Sequence, residues 1–255
     1  MLVSLTQFNI KRPERLNYDF LLPNPDNLIK NIKSKSLRSF LIESDEILAK
    51  NNINYKYEDL TEEKFIAWLP YYKEKMEEHN YDVRAKKNWY QEQINKGFIM
   101  KAIFMYQNKK LVGSGIFDFH NHIADFAYKA SDRITISSKK AASLGSIIEF
   151  LFLKKSAESG SYKIATNRSR NAFGFFNTLG YLDLKLRFGY KPRPSKDAPL
   201  LEEVPVNEKG FVIFYGLQDD QFILFSLQPE STKGQRFFDK TPFIDQEIPF
   251  KEIYY

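Results

Sequence analysis

Cysteine is absent from the 255 residues, which removes a disulfide framework, thiolate metal sites and a cysteine nucleophile. Histidine is nearly absent too, with only His79, His120 and His122 available as histidine bases, and no metal site is expected. No apolar run approaches the ~18 residues that a membrane span needs. Met1 to Phe20 lacks a continuous apolar stretch and carries Lys11, Arg12 and Arg15, which argues against a signal peptide. A soluble, cytoplasmic protein is the expectation.

What is present is material for a core. The chain is 43% hydrophobic and 16% aromatic, with 23 Phe and 15 Tyr, so a mainly disordered chain is excluded. In a basic chain such aromatics serve either as core or as stacking platforms for nucleic acid. The formal net charge of +6 permits an anionic partner such as a phosphorylated cofactor, tRNA or a membrane surface. It does not require one, because 32 acidic residues are interspersed among 38 basic ones.

Residues 1–28, broken by Pro13, Pro23 and Pro25, read as irregular. Residues 29–50 read as a helix whose first half is basic (Lys30, Lys33, Lys35, Arg38), either a solvated face or an anion contact. A short strand is expected at Ile53–Tyr57. A helix capped by Thr61 and carrying Phe65, Trp68 and Leu69 should kink or restart at Pro70. A further helix near Lys87–Lys96 should end at Gly97. The pattern then becomes an antiparallel meander over Phe98–Gln107, Lys110–Phe119 and His122–Ala130, with turns at Asn108-Lys109 and His120-Asn121. A polar loop, Asp132 to Lys140, leads into a helix with Leu144, Ile147, Ile148, Leu151 and Phe152 at amphipathic spacing. Tyr162–Thr166 reads as a buried strand parallel to the one before. Asn171–Leu179 reads as a short helix stopped by Gly180, and Tyr181–Phe188 as a strand. Residues 191–209 read as a Pro-rich linker. Gly210–Leu217 and Gln221–Leu227 form a hairpin around Asp219-Asp220, apolar on both faces, that must pack on the domain or on a second subunit.

Particular residues carry a family resemblance. They are Lys33-Ser34-Lys35-Ser36-Leu37-Arg38, Tyr128-Lys129-Ala130-Ser131-Asp132, Leu144-Gly145, Asn171-Ala172, Leu179-Gly180-Tyr181 and Leu184-Lys185-Leu186-Arg187-Phe188-Gly189. With the element order, they make residues 30–192 resemble the GNAT superfamily of N-acyltransferases, closest to its Fem-like branch, which includes peptidoglycan-bridge aminoacyltransferases. The resemblance implies an α/β (α+β) mixed sheet with an antiparallel meander, a crossover helix and splayed parallel strands, here followed by the C-terminal β-hairpin. It sets the domain at 29–192, with 1–28 before it and 193–255 as linker, hairpin and tail. It implies acyl transfer from acyl-CoA or another phosphopantetheine thioester to a small-molecule or peptide amine. Alternatives are Fem-type transfer from aminoacyl-tRNA, for which Lys185, Arg187, Lys191, Arg193 and Lys196 would suit a phosphate backbone, and a non-catalytic binding module. A homodimer is compatible with all three.

In such a fold, strands splayed at their C-terminal ends leave a cleft, and a helix N-terminus behind it meets the donor's pyrophosphate. The expected donor-binding residues are Ser131, Lys139, Lys140, Ser143, Leu144 and Gly145. The family's phosphate loop runs Arg or Gln, two variable residues, Gly, one variable residue, then Gly or Ala; here Lys140, Ser143 and Gly145 occupy those places, with Ser for the first Gly. Phe176 stands where the family commonly has the Tyr that protonates the leaving thiolate. The expected catalytic residues are Tyr128, Asp132 and Asn167, at the ends of neighbouring strands. His120 and His122 lie about 20 Å from Tyr128 at ~3.3 Å per residue, at the wrong end of the sheet. Asp125 alternates onto the face opposite Tyr128. Arg187, in a strand among apolar residues, needs a carboxylate or an anionic substrate.

Overall fold

The computed structural model describes residues 1–78, 81–138 and 143–255, with Asn167 and Arg168 described as backbone only. In chain order the elements are β1 (Leu2–Ser4), β2 (Arg12–Pro13), β3 (Arg15–Leu21), α1 (Leu28–Asn31), α2 (Lys35–Ile42), α3 (Ser44–Lys50), β4 (Ile53–Asp59), α4 (Glu62–Glu78) and α5 (Trp89–Asn95). Next come β5 (Ile99–Gln107), β6 (Lys110–His120), β7 (Ile123–Ser131), α6 (Leu144–Glu158), β8 (Lys163–Arg170) and α7 (Leu179–Phe188). The chain ends with β9 (Lys191–Pro194), β10 (Leu200–Leu201), β11 (Glu203–Pro205), β12 (Val212–Gln218), β13 (Gln221–Gln228), α8 (Thr241–Ile244) and β14 (Phe250–Tyr254). Two compact units result, one of Met1–Asp19 with Arg168–Tyr255, the other of Phe20–Asn167.

The Phe20–Asn167 unit is built on the strand order β4-β5-β6-β7-β8. The first four strands are antiparallel, as the alternating runs require. Asn108 and Lys109 both have positive φ, and so do Asn121 and His122, so the second turn sits one residue later than expected. On one face, α4 buries Phe65, Trp68, Tyr72 and Met76 against Met100, Ala102, Phe104, Ile116 and Ala130. Thr61 caps α4, its hydroxyl accepting from Lys64 N at 3.3 Å. Pro70 does not end the helix; its ring is exposed and α4 runs on to Glu78. On the other face lies α6, stacked through Phe152 on Phe117 and Phe126. This helix is buried nearly all round rather than along one stripe, because α2 covers its back. Gly115 permits the approach: a Cβ there would meet Phe117 at 2.6 Å and Ile148 at 2.8 Å. The expected helix over 29–50 is three short helices, α1 to α3, interrupted at Ile32 and Glu43.

In the other unit the sequence expectations fail in an informative way. Residues 1–28 are not irregular and 191–209 is not a linker. β1 pairs antiparallel with β11, β2 with β10 and β3 with β9, so the two Pro-broken stretches zip together. Prolines are tolerated because these strands are short. The hairpin β12–β13 turns at Asp219-Asp220 as expected, and β14 adds a parallel third strand. One hairpin face (Val212, Phe214, Phe225) packs on Val3, Leu5, Ile10, Val204 and Val206. The other carries Tyr215, whose ring meets Phe173 and Phe222. Both faces are therefore covered within this unit.

The helix and strand after β8 come later in the chain than expected. Residues 171–177 are a turn, and Leu179–Phe188 is the helix α7. Thr178 accepts from Tyr181 N to cap it, and Gly189, at φ 97°, ends it. Gly180 is simply in the first turn. Asn171 is the pin of this region: its amide donates to Pro13 O at 2.8 Å and Tyr215 O at 2.7 Å, and accepts from Tyr215 N at 2.8 Å. It is fully buried with both ends of the amide satisfied.

Candidate active site

The site develops from an irregularity in β7. Opposite β6, Ile116 faces Tyr128, but the register then shifts and Phe117 faces Phe126, leaving Ala127 as a bulge. A bulge inserts one residue and reverses the parity of the side chains beyond it. Asp118 therefore faces Asp125, and both lie on the same side of the sheet as Tyr128 and Ile116. The expectation that Asp125 and Tyr128 point to opposite faces is corrected by that single residue.

On this face Tyr128 packs against Trp68, Tyr72 and Trp89, with ring centroids 6.0, 5.4 and 4.8 Å away. Burial, then Tyr72 and Asp118, raise its pKa well above the usual tyrosine range, so the phenol stays protonated. Asp118 is the residue that sequence reasoning missed. It is 7% exposed, and no hydrogen bond or ion pair reaches its carboxylate among the described residues. Burial pushes its pKa up to about 7, against a modest opposing pull from Lys96. The only sequence signal is an acidic residue among the apolar alternation of β6, between Phe117 and Phe119.

Asp132 is differently placed. At the end of β7, it accepts from Tyr71 Oη at 3.3 Å and pairs with Lys75 at 3.2 Å. Lys75 also pairs with Glu74 at 2.8 Å and Glu78 at 2.7 Å. Burial pulls the Lys75 pKa down, but its hydrogen bonds to Glu74, Glu78 and Asp132 outweigh that, and the ammonium stays charged. Asp132 thus anchors the end of β7 to α4.

The strands part as expected. β7 and β8 run parallel, paired at Ile123 with Lys163 and Ala124 with Ile164, the N-terminal ends of both. Farther along, β7 comes to the start of α6: a Cβ on Gly145 would lie 3.8 Å from both Ser131 Oγ and Ser143 Oγ. Ser143 caps α6, accepting from Ser146 N at 3.1 Å. Leu144 is buried and Gly145 is partly exposed. Ser143 takes the N–H groups of Ser146 and Ile147, and those of Leu144 and Gly145 have no acceptor within the helix. Lys129, next to Tyr128, points to the α6 side and pairs with the buried Glu149 at 2.7 Å. Lys139 and Lys140 lie outside the described residues, as does His79. Asn167 is in β8, as expected. His120 and His122 are exposed at the β6–β7 turn, the His120 ring 4.9 Å from Phe98, at the end of the sheet away from Asp132.

The basic stretch proposed for tRNA is largely engaged within its own unit. Arg187, on α7 rather than in a strand, pairs with Asp183 at 2.6 Å. Lys191 pairs with Glu247 at 2.8 Å and Arg193 with Asp19 at 2.7 Å, while Lys185 is buried against Tyr190. Phe176, half-exposed, lies under the Arg170 guanidinium. Two clefts, of about 720 and 530 Å³, also belong to this unit, and neither is lined by an expected site residue. Among the described residues, no helix is long and apolar enough to cross a membrane, and no group of His, Asp and Glu could hold a metal.

A meander, a crossover helix and parallel strands that part beside that helix's N-terminus make a GNAT-like fold of the Fem-like type. FemX aligns with a TM-score of 0.52 at 9% identity, over 76% of this chain and 62% of that one. A conserved protein of unknown function from Bacteroides thetaiotaomicron VPI-5482 aligns at TM-score 0.48 and 14% identity, covering 78% of this chain and 60% of that one. The DUF2156 C-terminal domain of a lysylphosphatidylglycerol synthetase from Agrobacterium fabrum, itself a putative assignment, aligns at 0.43 and 10%, covering 74% and 62%. The chain thus spans about 60% of the length of these solved structures. No protein-family model and no curated protein matches it.

Proposed function

We propose that the chain is an N-acyltransferase that moves an acyl group from a phosphopantetheine thioester, such as acyl-CoA, to an amine. The observation that carries this reading is the meeting of the β7 end with the α6 N-terminus, where Ser131, Ser143 and Gly145 stand together. Two hydroxyls, a residue without a side chain and the N–H groups of Leu144 and Gly145 suit a phosphate oxygen. Their charge complement would come from Lys139 and Lys140, four and three residues before Ser143. Where β7 and β8 part, the open backbone of β7 suits an acyl oxyanion and the thioester. Tyr128, kept protonated, is placed as a donor of hydrogen bonds rather than a base. Asp132 positions the strand, and Asn167 borders the donor from β8.

The Fem-type reading is less favoured, because Arg187, Lys191 and Arg193 already have carboxylate partners. Titration calorimetry of CoA and acetyl-CoA tests the proposal. Binding should be weakened about tenfold or more by the double change Lys139→Ala and Lys140→Ala, and by high salt. Absence of binding to the unaltered protein at millimolar CoA would remove the thioester reading.

A further inference from the structure

β4 is the outer edge of its sheet: it pairs with β5 on one side, and no described strand pairs with the other. The phase of the pairing fixes which main-chain groups are left over. Leu60 N–H donates to Met100 O, so the even-numbered residues of β4 turn their N–H and C=O groups toward β5. Tyr55, Tyr57 and Asp59 therefore turn theirs outward along a seven-residue strand that holds no proline. Such an edge is a template for another strand unless charge or a covering element prevents it. Lys56 and Glu58, two residues apart, share the face on which α4 packs, since they lie beside Phe104 and Ala102 of β5. Lys56 is exposed and has no ion pair among the described residues, while Glu58 reaches Lys64 at 2.9 Å.

A second copy added antiparallel through a two-fold axis must set outward-turned residues opposite outward-turned residues. Centring the pair on Lys56 would put two ammoniums face to face. Centring it on Tyr57 puts Lys56 opposite Glu58 of the second copy, and Glu58 opposite Lys56 of the second copy. Both pairs then fall at non-hydrogen-bonded positions, where side chains approach most closely. The main-chain bonds join Tyr57 to its own copy and Tyr55 to Asp59 on each side of the axis. β14, the outer strand beside β13, cannot do this. Its Lys251 and Glu252 are adjacent and point to opposite faces, so no self-pairing sets one against the other. We propose that β4 is the contact of a two-fold homodimer, paired about Tyr57, in which reciprocal Lys56–Glu58 pairs set the register. The inference is independent of the acyl-transfer reading.

Sedimentation equilibrium of the full chain, from micromolar to submillimolar concentration, tests it. A single strand pair buries less than a standard interface, so the dimer should be weak, with a micromolar dissociation constant. Lys56→Glu and Glu58→Lys each set like charges opposite one another at both positions, and each should weaken the dimer about tenfold or more. Mixed in equal amounts, the two variants should form a heterodimer, because every Glu then faces a Lys. Asp59→Pro removes an outward N–H and leaves the bonds to β5 intact, so it should also weaken the dimer and keeps the test open if a charge variant is perturbed. Circular dichroism confirms that each variant is folded. A monomer at every concentration, a dimer unaffected by the charge variants and Asp59→Pro, or a mixture that stays monomeric would each overturn the proposal.

Discussion

Two buried polar side chains, one in each unit, are opposites. Asn171 has every hydrogen-bonding group of its amide satisfied by the backbone of Pro13 and Tyr215, so it acts as an extra peptide group joining β2 to β12. Asp118, 7% exposed against 0% for Asn171, has no hydrogen-bond partner among the described residues and sits opposite another carboxylate. Structure explains the first completely. Burial of the second favours its protonated form, which makes its contribution to stability depend on pH. The contrast separates a residue fixed by hydrogen bonds from one whose charge state is set by burial.

The contrast breaks most sharply at Asn171. Asn171→Ala would leave Pro13 O, Tyr215 O and Tyr215 N without their partner, at a cost of about 4 kcal/mol in urea denaturation. Little loss would mean that the three backbone groups find other partners.

Asp118→Asn should do the reverse, in a pH-dependent way. With a pKa near 7 when folded and an ordinary value near 3.8 when unfolded, Asp118 holds its proton in the native state while the unfolded state releases it. Stability of the unaltered protein therefore falls as pH rises between those values and is flat outside them. Asp125 and Tyr128 face the group and Lys96 acts on it from α5's end, so the size of the effect is shared among them. The variant should match the unaltered protein near pH 4 and exceed it near pH 8, by between about 1 and 4 kcal/mol. A variant less stable at every pH would show that Asp118 is structural.

The smallest effect is expected at Asp132, which has its partners. Asp132→Asn leaves Lys75 with Glu74 and Glu78 and should cost about 1–2 kcal/mol. It should also lower affinity for CoA, because it loosens the end of β7.

Much of the Phe20–Asn167 unit was legible because its signals are local. The two-residue turn at Asn108-Lys109, the Thr61 cap and the apolar spacing of α6 each act over a few residues, and the parallel placing of β8 follows from the crossover. The three pairings β1–β11, β2–β10 and β3–β9 were not legible, since two- to seven-residue strands meet partners from the other end of the chain. α7 was misphased because Gly180 looked like a stop, whereas Thr178 and Gly189 set its limits. At the site, the order of elements put Asp132 at the end of β7 and Asn167 in β8. Asp118 and the shared face with Asp125 were hidden by the Ala127 bulge, which leaves no mark in the alternation.

Carbon-13 NMR of the aspartate carboxyl groups, with Asp118→Asn identifying the resonance, tests most directly whether burial holds Asp118 protonated on the Tyr128 face. A midpoint at about pH 7 is the predicted result. A midpoint at about pH 4, the ordinary carboxylate value, would contradict it.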